Sequence, residues 1–182
     1  MKKTHLLLAI LLCAAWLLPS PSQARRKAQK KQIPILAWYS IPPGEFSTEE
    51  RYHELRECGF THSFAHIYSM PDALKALDLC QKAGLKSIFM CPELQTDPEA
   101  TVRRVRKHPA LGGYFLRDEP HNKDLEELGK WAQRIKSEDT EHPCYLNLFP
   151  VQVFGSERYR EHMRLFNELV HLPQIPFDHY PL

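Results

Sequence analysis

From Ile33 to its C-terminus this chain repeats one unit: a short apolar run, a turn, and an amphipathic stretch whose apolar residues recur at helical spacing. Such alternation constrains the fold more than any other feature. Each helix must carry the chain back to the same end of the sheet, so the strands lie parallel and the class is α/β.

The first run, "IPILAWYSIP", closes on Pro42-Pro43-Gly44 and predicts a buried strand. Ser47 and Glu50 have the spacing of a capping box, Tyr52, Leu55 and Cys58 mark one face, and Gly59 ends the helix. "FTHSFAHIY" predicts the second strand. Its helix starts near Pro71, uses Ala73, Leu74, Leu77 and Cys80, and stops at Gly84. "KSIFMCPEL" is followed by a helix opening at Thr96-Asp97-Pro98, where proline suits the first turn. The fourth strand runs through "GGYFLRDEP" into a helix with Leu125, Leu128, Ala132 and Ile135 in register. "CYLNLFP" predicts the fifth, with Ser156 capping a helix that buries Tyr159, Met163, Phe166 and Val170, and "IPFDHYPL" predicts a sixth.

Two architectures satisfy this order, an open doubly wound sheet and a (β/α)8 barrel. No glycine-rich phosphate loop follows any strand, which weakens the nucleotide-binding version. Polar and aromatic residues collect instead at the C-terminal strand ends, where a barrel builds its active site. The expectation is a partial (β/α)8 TIM barrel of about five βα units plus a sixth strand.

Ahead of this domain, Lys2 and Lys3 precede an apolar run from Leu6 to Leu18 and the small-residue exit Ser22-Gln23-Ala24. The run is shorter than the roughly 20 residues a membrane span needs. Residues 1–24 therefore predict a signal peptide cleaved near Ala24, with export to the periplasm or the extracellular space and no spanning helix. Residues 25–32, "RRKAQKKQ", form a basic linker without interleaved aromatics, which excludes a nucleic-acid site. The domain is then 33–182. Loss of the leader takes two lysines with it and leaves charge in balance. Cys58, Cys80, Cys91 and Cys144 include no C-x-x-C pair and predict core thiols.

The strand ends offer Trp38, Tyr39, Tyr68, Glu93, Asp118, Glu119, Asn147, Asp178, His179 and Tyr180. Aromatic faces beside carboxylates and amides suit a saccharide, since sugars present apolar C–H faces together with hydroxyls. Glycoside hydrolysis needs one carboxylic acid to protonate the leaving oxygen and a second carboxylate across the ring. Each residue also has a plain role: Trp38 and Tyr39 in the core, Glu93 in a loop, Asp118 bonded to Arg117 or capping the next helix. His62, His66, His108 and His121 lack metal spacing and suit surface or hydrogen-bonded core positions. Glu119 precedes Pro120, which favours extended backbone. Simple alternation aims Asp118 and Glu119 to opposite faces unless a bulge intervenes.

"GGYFLRDEP", "YLNLFP" and "FDHYP" resemble the strand ends of secreted bacterial glycoside-hydrolase-like (β/α)8 proteins, related to the large clan of retaining glycosidases. The resemblance covers Ile33 to Leu182 and implies that the chain corresponds to the N-terminal part of such a barrel. It further implies that Glu119 is the general acid/base, that Asp118 stands where asparagine usually contacts a sugar hydroxyl, and that His179 and Tyr180 support the nucleophile. That nucleophile belongs to a seventh strand beyond this chain. The expectation is accordingly a truncated or split product, inactive alone, that acts on an oligosaccharide or polysaccharide and pairs with a C-terminal complementing fragment or with itself. No cofactor is expected. Glu93 or Asp178 are the other candidates for the second carboxylate. The alternatives are a non-catalytic carbohydrate-binding module and a metal-dependent hydrolase with Asp178, His179 and Glu93 as ligands.

Overall fold

The computed structural model describes residues 33–180; the expected leader and basic linker lie outside the described residues. Five strands, β1 (Leu36–Ala37), β2 (His62–Ser63), β3 (Lys86–Phe89), β4 (Leu111–Asp118) and β5 (Cys144–Asn147), form one parallel sheet in the order β1-β2-β3-β4-β5. The helices between them are α1 (Glu49–Glu57), α2 (Met70–Ala83), α3 (Pro92–Thr96), α4 (Pro98–Val105), α5 (Leu125–Glu138), α6 (Val151–Phe154) and α7 (Ser156–Leu169). A doubly wound sheet reverses its order at a switch point. Here every crossover steps one strand in the same direction, as in a barrel.

The two faces of the sheet are buried differently. The large core cluster joins the helices to Ala65, Phe89, Tyr114, Leu116, Leu146 and Leu148, at alternate positions along the strands. Phe64, Ile88 and Phe115 occupy the other face, with Leu36, Trp38, Met90 and Tyr145 packed against them. Strands lie about 4.8 Å apart, so β1 and β5 of a flat sheet would be separated by roughly 19 Å. The Trp38 and Tyr145 ring centroids are 6.0 Å apart. The sheet is therefore curled into a half-barrel with the smaller cluster inside.

Local signals place the helices. Ser69 caps α2, accepting from the Asp72 N–H, and Gly84 closes it in the left-handed conformation with φ 71°. Asp97 caps α4 ahead of Pro98, and Leu125, Leu128, Ala132 and Ile135 are all buried on α5. Three boundaries differ from the sequence expectation. Thr48, not Ser47, caps α1, while Ser47 turns inward toward buried Tyr52. Gly155 precedes α7 and Ser156 is its first helical residue. The short α3 starts at Pro92, whose fixed φ suits a first helical position, and lies inside what the sequence suggested was strand and loop.

The strands are shorter than their apolar runs. Tyr39, at φ 51°, takes β1 out of regular geometry, although the Ser40 N–H still donates to the Phe64 carbonyl at 2.7 Å. The expected sixth strand is reduced to one parallel bridge, Leu148 to Phe177, flanked by Leu148 N–H to Pro176 O and Asp178 N–H to Leu148 O. Pro173 and Pro176 lack the N–H that a longer ladder requires.

At the opposite end of the strands, Asp139 is buried and accepts from the Tyr114 hydroxyl at 2.7 Å, His142 Nδ1–H at 2.7 Å and two backbone N–H groups. Burial disfavours its charge, but these donors outweigh burial and hold the carboxyl below its usual range. The linked stability is present above the unfolded carboxylate range and is lost as pH falls through the depressed value. Asp139→Ala is expected to cost about 2 kcal/mol, because Tyr114 keeps a buried hydroxyl without its acceptor; equal urea midpoints for variant and parent would refute this.

Cys80, Cys91 and Cys144 are buried and Cys58 is exposed, all as free thiols. Burial pushes the Cys80 and Cys144 thiols up to about 12 and Cys91 to about 11. In the folded protein, a thiol reagent at neutral pH is expected to modify Cys58 rapidly and Cys80, Cys91 and Cys144 only after denaturation.

Candidate active site

The C-terminal end of β4 departs from simple alternation. Phe115 pairs with Tyr145, but Asp118 pairs with Asn147, so three steps on β4 match two on β5. This bulge inserts one residue and keeps Asp118 on the inner face beside Asn147. Arg117 points elsewhere and binds Asp124 at 3.1 Å. Asp118 is thereby free of both plain roles the sequence allowed it, a bond to Arg117 and the cap of the following helix.

Glu119 follows with φ 46°, in the left-handed region that non-glycine residues rarely occupy. This corrects the extended backbone expected ahead of Pro120. Its N–H donates to the Asn147 carbonyl at 2.7 Å, so pairing with β5 holds it there. Tyr39 shares the same unusual conformation at the end of β1. Backbone strain of this kind concentrates where a side chain must be aimed.

Asn147 is buried and organises the acids. Its Nδ2 donates to Asp118 Oδ1 at 3.2 Å and to Asp178 Oδ1 at 2.8 Å. Asp178 comes from the segment bridged to Leu148 and also accepts from the Tyr180 hydroxyl at 3.2 Å. Glu119 has its carboxyl raised above the usual range: burial contributes most, followed by the charges of Asp118 and Asp178 and a hydrogen bond with Asp178. Burial and the two neighbouring acids therefore favour the protonated form of Glu119. Across the curl, burial raises the Tyr39 hydroxyl first, and then the charge of Asp118.

The structure thus joins Tyr39, Asp118, Glu119, Asn147, Asp178 and Tyr180. The remaining expected residues sit apart from this hydrogen-bonded set. Trp38 packs inside the half-barrel against Phe64 at 4.7 Å and Phe115 at 5.7 Å, and Tyr68 is exposed near His66. Glu93, half-buried at the start of α3, contacts Cys91 and has Oε2 buried without a partner. His179 is exposed. The metal set of Asp178, His179 and Glu93 is not assembled: among the described residues no group of three His, Cys, Asp or Glu can hold an ion. Sequence reasoning missed Tyr145, whose hydroxyl burial and then Asp178 and Asp118 raise, and His66, whose Nε2 is buried and unpaired instead of hydrogen-bonded in the core. Alternation along "CYLNLFP" puts Tyr145 on the same face as Asn147 and was the available signal for it. No helix among the described residues is long and apolar enough to cross a membrane.

No family model and no curated protein matches this chain. Among solved structures, a glycosyl hydrolase family 2 member from Bacteroides cellulosilyticus DSM 14838 superposes with a TM-score of 0.54 at 14% identity, over 79% of this chain and 22% of that one. A Bacteroides uniformis beta-glucuronidase matches with a TM-score of 0.47 at 16% identity, over 82% of this chain and 21% of that one. The chain spans about a fifth of the length of these proteins. At such identity the likeness is one of architecture, and the described residues have a partial-barrel fold.

Proposed function

We propose that this protein takes a saccharide at the C-terminal ends of its strands and that Glu119 is the group that protonates a glycosidic oxygen. The reading rests chiefly on the Glu119 carboxyl, which ends β4 on the half-barrel's mouth between two further acids that favour its protonated form. A neutral carboxyl can donate to an oxygen as the bond to the sugar carbon lengthens, so the alcohol departs without becoming an alkoxide. Asp118 and Asp178 tune this proton, and Asn147 holds both.

Asp178 is poorly placed for the opposing carboxylate. It belongs to the same cluster as Glu119, held by Asn147 and Tyr180, whereas the two carboxylates of a glycosidase flank the glycosidic bond. That proximity favours a second reading, saccharide binding without turnover. Titrating the protein with oligosaccharides while assaying nitrophenyl glycosides distinguishes the two. The first predicts saturable binding and, once a complementing C-terminal segment supplies the second carboxylate, release of nitrophenol, and the second predicts binding alone. Tyr180→Ala is expected to weaken binding several-fold in either case. Failure of every saccharide to saturate the protein at millimolar concentration would remove both readings.

A further inference from the structure

Three buried polar side-chain atoms have no hydrogen-bond partner among the described residues: His66 Nε2, Glu93 Oε2 and His162 Nε2. An orphaned group of this kind costs free energy that a bound molecule can recover. His162 is enclosed beneath Phe154, and Glu93 sits against Cys91. His66 differs because it lines a cleft of about 290 Å³ together with Tyr39, Pro42, Ala65 and Tyr68.

The surroundings of His66 are built from rings. Tyr39 stacks on it with centroids 4.8 Å apart and planes 12° from parallel, while Phe64 and Phe115 meet it edge-on at 5.3 and 5.9 Å. These contacts leave the imidazole little freedom. Tyr68 approaches at 6.4 Å but is 73% exposed, so its ring can swing without breaking packing. The charge of Asp118 is felt at the Tyr39 hydroxyl, so the cleft adjoins the acid cluster. A pocket with apolar ring walls and one fixed polar atom is suited to a small ring that carries hydroxyls.

We propose that the cleft between the ends of β1 and β2 is a pyranose-binding subsite, in which one sugar face rests on Tyr68 and one hydroxyl is recognised by His66 Nε2. The inference rests on the saccharide reading of the neighbouring acid cluster and adds to it a named specificity determinant. Binding moves the Tyr68 ring and uncovers Nε2, a side-chain rearrangement of ordinary size for ligand entry.

The test uses the full chain and the methyl glycosides of glucose, galactose, mannose and xylose, followed by the monodeoxy series of the tightest one. Calorimetry is expected to show that loss of one particular hydroxyl weakens binding roughly 10-fold, the usual consequence of leaving a site's polar atom unpaired. In His66→Phe, which preserves the ring stack, that penalty should shrink to near one, while Tyr68→Ala should weaken all the glycosides together. The wild-type imidazole Nε2 resonance, followed by nitrogen NMR, should move on saturation. If a sugar binds but Nε2 does not move, or His66→Phe keeps the same discrimination, the subsite assignment falls and the acid-cluster reading stands. If no methyl glycoside saturates the protein while longer saccharides bind, the subsite again falls alone. If nothing binds, both fall.

Discussion

With the second carboxylate supplied by a complementing C-terminal segment, Glu119→Gln is expected to lower the rate of glycoside hydrolysis by about 10²–10⁴-fold, the usual contribution of a positioned general acid. Glutamine keeps the shape of the side chain but has no acidic proton to transfer. The deficit should depend on the leaving group. An alkyl glycoside needs the proton and suffers the full loss, whereas a dinitrophenyl glycoside departs as a stable anion and suffers little. The pH profile carries the same information. Burial, then Asp118 and Asp178, raise the Glu119 carboxyl, so its active protonated form persists above the usual carboxylate range and activity falls as pH rises through the raised value. Asp118→Asn removes one of the charges and should move that falling limb to lower pH. Equal losses for alkyl and dinitrophenyl substrates, or an unmoved limb, would exclude Glu119 as proton donor.

Gly129→Ala is expected to destabilise the fold by about 3–4 kcal/mol, at the upper end of overpacking effects, and to lower Tm by roughly 10 °C. Gly129 lies on the buried side of α5. A β-carbon there would stand 2.0 Å from the carbonyl oxygen and 2.9 Å from the carbonyl carbon of Leu169. Both are backbone atoms at the end of α7, so no side-chain rotation relieves the clash, and α5 and α7 must separate. In an exposed helix the same change would stabilise by nearly 1 kcal/mol through propensity, so the sign of the effect itself reports the contact. A thermal melt with Tm at or above that of the parent would mean that the two helices do not approach as described.

Helix faces were legible before the structure because burial on a helix follows a local period. Leu125, Leu128, Ala132 and Ile135 show this, and the opening of α4 at Asp97-Pro98 was legible as well. Ladder length was not legible. Apolar runs announce burial, but Tyr39 at the end of β1 and the prolines around Phe177 decide where pairing stops.

The candidate site divides along the same line. Residue order alone determined an α/β chain with parallel strands, and it marked Glu119 as an acid ending a strand, since both depend on neighbours a few residues apart. Only the tertiary structure decided that Asp118 faces inward, that Asn147 ties it to Asp178, and that Tyr39 reaches across from β1. Those outcomes depend on the bulge in β4 and on the curl that brings Trp38 to Tyr145. Curl accumulates from small twists between successive strand pairs, and no local pattern encodes their sum.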